Sequence, residues 1–279
     1  MATIKSFQKE QFDTIKKFLD TINSRPNNKV MEGKNNSHTG SEDFTRTTSY
    51  EEATRLILNG WDELLPRIKE QFKVSVKNNA NGEITKRRTY NHVVGYAPNV
   101  PNAILGLPQS KITSDRVAQK VKAISIAYAP DANGGESAET FIKAGIVVLN
   151  IVNQLELNGT RVRLMITPMD SIYDESFVSC MVCVKDFREQ LDLKKVAFPI
   201  ANPSFLRRFG FKWLETYPEL KERGFRSGYG STISDESSHK DDLVKGGVLT
   251  ENDYFMSLGR IKELRYDIPK VMNDAGIQI

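Results

Sequence analysis

The stretch from Val121 to Thr167 constrains the fold more than any other part of the chain. VKAISIAYA, at 121–129, is a short run rich in the residues of a buried strand. The turn DANGGES follows, and apolar residues then recur at Phe141, Ala144, Val148, Ile151, Val152 and Leu155. Those steps put them on one face of a helix of about five turns, ending at Asn158-Gly159, where glycine tolerates the left-handed cap. RVRLMIT then alternates as a strand. Strand, helix and strand of these lengths form a βαβ unit, whose right-handed crossover lays the two strands parallel. A third run, SFVSCMVCV at 176–184, is apolar enough to be buried in the same sheet. The predicted fold class is therefore α/β, a mostly parallel sheet with helices on both faces and a βαβ core at about 120–185.

The flanks are read from the same periodicities. Phe12, Ile15, Leu19 and Ile22 predict an amphipathic helix within 1–24, an accessory to the α/β body, stopped by Pro26. Residues 25–48 are polar and without period, which predicts a flexible linker. From 49 to 279 a single α/β domain is expected, opened by a capping box at Ser49 and Glu52 and a helix ending near Asn59-Gly60. Trp61, Leu64, Leu65, Ile68 and Phe72 continue a helical spacing. In 84–111 a strand is expected before Pro98, Pro101 and Pro108 impose an irregular but ordered segment. Asp186 is expected to cap a short helix, a second starts near Pro203, and the tail carries a helix through Leu258, Ile261 and Leu264 with another after Pro269.

Several function classes lose their support at this level. A hydrophobic share of 39% and a charged share of 27% belong to a folded globular chain. No run reaches the roughly 18 uncharged apolar residues of a membrane span, and MATIKSFQKEQF lacks the apolar stretch of a signal peptide, so a cytoplasmic protein without membrane partners is expected. The two cysteines, Cys180 and Cys183, spell C-x-x-C, but residues three apart on a strand face opposite sides, which predicts two core thiols and no redox or zinc pair. His38, His92 and His239 have no metal-ligand spacing, G-x-S-x-G is missing, and neither a cofactor nor a metal is expected.

Three sets of residues remain as candidates. The loop Asp131, Asn133, Gly134, Gly135 and Ser137 sits after the carboxyl end of a strand and at a helix start, where α/β sheets bind ligands. With Glu136, Asp170 and Asp174 it supplies carboxylates that would suit a divalent-metal enzyme. Lys86, Arg87 and Arg88 beside Tyr90 and His92, and Arg207 and Arg208 between Phe205 and Phe209, are the tools of phosphate contact and base stacking. A net charge of +4 is too small to favour nucleic acid unless these residues share one face.

NGWDELLPRI at 59–68, GYAPNVPNAILGLP at 95–108, FIKAGIVVLNIVNQLELNGTRVRL at 141–164 and FPIANPSFLRRFGF at 198–211 together resemble a family of uncharacterised bacteriophage-encoded proteins. The resemblance implies a core similar to the von Willebrand factor A or Rossmann-like sandwich and brings no activity with it. A metal-binding von Willebrand A domain would carry Asp-x-Ser-x-Ser after its first strand, whereas this chain reads Ala129-Pro130-Asp131-Ala132-Asn133. The expectation is a non-enzymatic interaction protein whose partner is another protein. It would use either the carboxyl edge of the sheet or the proline-rich segment, with nucleic acid as the alternative partner and the oligomeric state open.

Overall fold

The βαβ unit lies in the middle of the main sheet. A computed structural model describes residues 6–28, 36–76, 86–117, 122–132, 134–172, 176–220 and 240–277. In chain order it begins with β1 (Ser6–Phe12), α1 (Ile15–Ser24), α2 (Glu42–Thr45), α3 (Tyr50–Asn59) and α4 (Leu65–Val76). Next come β2 (Lys86–His92), β3 (Ala97–Pro98), α5 (Val100–Ile104) and β4 (Lys111–Val117). The core follows with β5 (Ala123–Ala129), α6 (Ala138–Leu157), β6 (Arg161–Ile166), β7 (Met169–Ile172) and β8 (Ser176–Lys185). It closes with α7 (Leu193–Ala201), a π-helix (Phe205–Gly210), α8 (Phe211–Thr216), α9 (Lys240–Lys245), β9 (Asp253–Ser257), α10 (Leu258–Glu263) and α11 (Ile268–Asp274).

The main sheet runs β1-β8-β6-β5-β9, with β7 also paired to β8. β5 pairs parallel with both β6 and β9, and β1 pairs parallel with β8. β8 is antiparallel to both β6 and β7. The sheet is thus mostly parallel, with one reversal. Alternation along β5 sorts its side chains: Ile124, Ile126 and Tyr128 join the large core, while Ala127 and Ala129 face a smaller one with Met165, Met181 and Phe255. Helix α6 lies on the large-core side and buries fourteen of its twenty residues. It is long and apolar enough to cross a membrane, but 72% of its apolar window is buried inside the fold, which identifies the core helix. On the other face the described cover is slight, α9 with Leu243, followed by Val248 and Leu249.

The N-terminus is no accessory. Residues 6–12 form the edge strand β1, and Phe12, which fits a helical stripe by spacing alone, is its last residue. Thr14 then caps α1 by accepting from the Lys17 amide at 3.1 Å, and Phe18, Leu19 and Ile22 enter the core. Glu10 fixes this edge: its carboxylate accepts two bonds from Arg25 at 2.6 and 2.8 Å and one from the Trp213 indole at 2.9 Å. Burial pushes the Glu10 pKa up, but these bonds outweigh it and hold the group below its ordinary value.

Nor are residues 36–48 a loose linker, although 29–35 lie outside the described residues. Ser37, Thr45 and Thr47 are buried. Ser37 donates from its amide and hydroxyl to the buried Glu215 carboxylate at 2.6 and 2.7 Å. The polar composition that reads as a linker is therefore used to satisfy buried polar groups. Further along, Ser49 caps α3 as predicted, accepting from the Glu52 amide at 3.1 Å. Glu52 reaches back to Thr48, whose amide and hydroxyl donate to it and lower its pKa. Asp186 begins a turn, not a helix, and Asp192 caps the helix that follows, α7. Strand β9 precedes the helix expected in the tail.

Candidate functional site

At the carboxyl ends of β5, β6 and β9, the loop residues hold the loop itself. Asp131 is buried, and its Oδ1 accepts from the Met169 amide at 3.0 Å, tying the loop to the break between β6 and β7. Ser137 caps α6 by accepting from the Thr140 amide at 3.3 Å, and Glu136 pairs with Lys262. Gly134 and Gly135 are exposed, with open space where a Cβ would stand. Asn133, Asp174 and the side chain of Asp170 lie outside the described residues. Among the described residues, no three His, Cys, Asp or Glu side chains gather as metal ligands would.

Of the two basic clusters, the one at 207–208 is spent on the fold. Arg207 lies over the Phe211 ring at 4.7 Å and donates to the Asn36 carbonyl at 2.9 Å. Arg208 is only 1% exposed, with Nε donating to Thr47 Oγ1 at 2.8 Å and Nη2 to the Thr47 carbonyl at 3.0 Å. Burial lowers its pKa, opposed by the carboxylates of Glu51 and Glu52. Both arginines hold the 36–47 segment against the π-helix, and Arg208 has no surface to offer a phosphate. Lys86, Arg87 and Arg88 stand on β2, with side chains outside the described set. His38 packs on the Tyr50 ring at 4.8 Å, and His239 lies outside the described residues. The two thiols are buried and free, and they diverge as the strand period requires. Cys180 joins the large core, while Cys183 meets Arg163 on the other face, and burial raises both pKa values.

The feature that stands apart is the three-stranded sheet β2-β4-β3 and the turns that join it. None of its described residues, 89–115, is buried, and none belongs to either core. Ten large hydrophobic side chains are exposed among the described residues, and eight of them lie between 90 and 107. Ile104 is 79% exposed, Val94 73%, Leu105 72% and Tyr96 71%, with Tyr90, Val93, Val100 and Leu107 beside them in sequence. Scattered apolar residues on a surface need no explanation, but such a concentration does.

This lobe is nevertheless firmly built. β2 and β4 pair antiparallel over seven residues, Lys86 opposite Val117 through His92 opposite Lys111. Gly95 lets the chain close on β4, since a Cβ there would stand 2.2 Å from the Ile112 carbonyl oxygen. Asn99 caps α5 through the Asn102 amide at 3.3 Å and donates to Asn91 Oδ1 at 3.0 Å. Asn102 in turn donates to the Gln109 carbonyl at 3.0 Å, and Pro101 opens α5. The tip is a set of capped turns that presents its apolar side chains outward. The prolines give the sequence signal for its irregularity, but its exposure has no periodic signature, because a lobe with no buried face leaves no period to detect.

Residues 3–274 match the profile of a family described as Domain of unknown function (DUF7192). No curated protein and no solved structure matches the chain.

Proposed function

The chain belongs to that family, from which no activity follows, and we propose from its own residues that it is a non-enzymatic interaction protein docking another protein through the lobe at 86–117. The observation that carries this reading is the concentration of exposed apolar side chains on a pre-shaped tip. Burying such a surface releases ordered water, and a tip already fixed by prolines and caps loses little entropy on binding. The described residues of the lobe belong to neither core, so a partner would supply the cover that the core does not. We read the core as von Willebrand A-like or Rossmann-like scaffolding on the support of the β5-α6-β6 unit with β9 alongside. The free, buried cysteines fit a reducing compartment such as host cytoplasm, in keeping with the likeness to bacteriophage-encoded proteins.

The test compares the wild-type chain with Val94→Asp/Ile104→Asp, two changes at side chains that pack on nothing in the core. Both forms are purified by affinity from expressing cells at about 150 mM salt, where weak electrostatic retention is screened. Equal melting temperatures establish that the fold is intact. Proteins kept by the wild type and lost from the double variant are the expected result. An identical set of proteins in both, or nucleic acid retained by both, overturns the proposal.

A further inference from the structure

The lobe's charges say what kind of protein surface would receive it. Twenty consecutive residues, Asn91 to Ser110, contain no Asp, Glu, Lys or Arg, in a chain that is 27% charged. Cations stand on both sides of that stretch: Lys86, Arg87 and Arg88 on β2, and Lys111 and Arg116 on β4. The one acid in 86–117 is Asp115, whose carboxylate already accepts from the Tyr90 hydroxyl at 2.5 Å. Of the chain's 39 Lys and Arg and 35 Asp and Glu, five and one fall in this lobe, so the remaining 34 and 34 cancel. The lobe carries the whole formal excess of +4.

We infer that the partner presents an apolar cleft rimmed by carboxylates, the cleft taking the tip around Val94, Tyr96, Ile104 and Leu105 and the rim lying along β2 and β4, the strands that carry the cations. This rests on the docking reading above and adds the partner's chemistry to it. The arrangement is that of a protein interface, an apolar centre inside a polar and charged rim. Opposite charge on the partner would speed encounter and exclude wrong partners.

Other occupants fit less well. A second copy of the chain would set one +4 lobe against another, a like-charge juxtaposition that opposes pairing. Nucleic acid needs cations where the contact is made, and the tip has none across twenty residues. A bilayer interior accepts apolar side chains but gives no partner to polar groups, and the tip carries Gln109 and Ser110 beside the asparagines whose amides hold its turns. A protein cleft can bond such polar groups as it buries their neighbours.

The experiment selects peptides from a displayed random library on the full-length chain and discards those that also bind Val94→Asp/Ile104→Asp. Enriched sequences are then synthesised and titrated by fluorescence polarisation. The inference expects apolar residues flanked by Asp or Glu, with affinity falling at least about tenfold in the double variant. It also expects weaker binding for Lys111→Glu and on raising salt from about 50 to about 300 mM, the response of a charged rim. Peptides that need Val94 and Ile104 but carry no acidic excess, and ignore both salt and Lys111→Glu, refute the acidic rim and leave docking standing. Failure to enrich any peptide that depends on the tip refutes both. Sedimentation of the wild type, but not the double variant, with phosphatidylserine vesicles, or dimerisation lost in that variant, also refutes the acidic cleft and names the other occupant.

Discussion

Replacing Gly145 with alanine tests how closely α6 and α7 pack. A Cβ built at 145 would stand 2.4 Å from Ala201 Cβ, 2.5 Å from Ala201 Cα and 2.8 Å from the Ile200 carbonyl oxygen. Carbon atoms in contact prefer about 3.5–4.0 Å, so the shortfall is roughly 1 Å. Two of the three obstacles are backbone atoms, and no rotamer change moves them aside. Helix α7 must shift, carrying with it Val196, Phe198 and Ile200, all buried. Overpacking of this kind costs about 1–3 kcal/mol and occasionally more. Alanine in a helix recovers about 1 kcal/mol relative to glycine. Because the clash is with backbone, the upper part of the cost applies, and a net loss of about 1–2 kcal/mol is expected. At about 2–4 °C per kcal/mol for a chain near this size, the melting temperature read by circular dichroism should fall by roughly 2–8 °C. Adding Ala201→Gly removes only the Cβ obstacle, so the pair should show a favourable coupling of about 0.5 kcal/mol or more in a double-mutant cycle. A Gly145→Ala protein as stable as the wild type would refute the close approach.

Two further outcomes follow from the core. Ile151→Asp puts a carboxylate where the side chain is 0% exposed, and a cost of several kcal/mol should leave the protein insoluble or without a cooperative melt; a soluble variant with an unchanged melting temperature would contradict the placement of α6. The folded-state pKa of Glu10 is held below its ordinary 4.5, so its bonds stabilise the protein above that pH and are lost as pH falls through the folded value. The urea midpoint should therefore drop with pH below 4.5, less steeply in Glu10→Gln, and equal slopes would remove the edge-strand role of this carboxylate.

What the sequence makes legible follows from what each element packs against. α6 is readable because nearly its whole circumference is buried, and its glycine stop is local; β5 and β6 flank it with β-branched runs. β1 and β9 are not readable. SFQKEQF and DYFMS are short and carry charges, and they become strands through pairing with β8 and β5, partners more than a hundred residues away in sequence. Phe12 misleads for a related reason: it falls three residues before Ile15, a helical step, although the chain changes from strand to helix between them. Arg208 misleads in chemistry, since an arginine among phenylalanines reads equally as a phosphate contact or as a buried tie. Only the arrival of Thr47, 161 residues away, decides which it is.

The lobe inverts the rule by which the rest of the chain is read. In the core, apolar residues recur with a period because one face of each element is covered, and that period is what predicts the element. Between 91 and 110 nine of the twenty residues are apolar, yet they have no period and no charge. Such a segment has two physical ends. Either it is buried on all sides by its own chain, or it is left for another surface. Among the described residues, none of 89–115 is buried and none belongs to either core, which is what supports the second reading. The same absence of charge that makes the tip unreadable as an amphipathic element also makes it costly to leave in water, and on the docking reading proposed above the like charges of β2 and β4 would oppose meeting that cost by self-association. Charge segregation and apolar exposure, which come from independent features of the chain, thus converge on the same thirty residues.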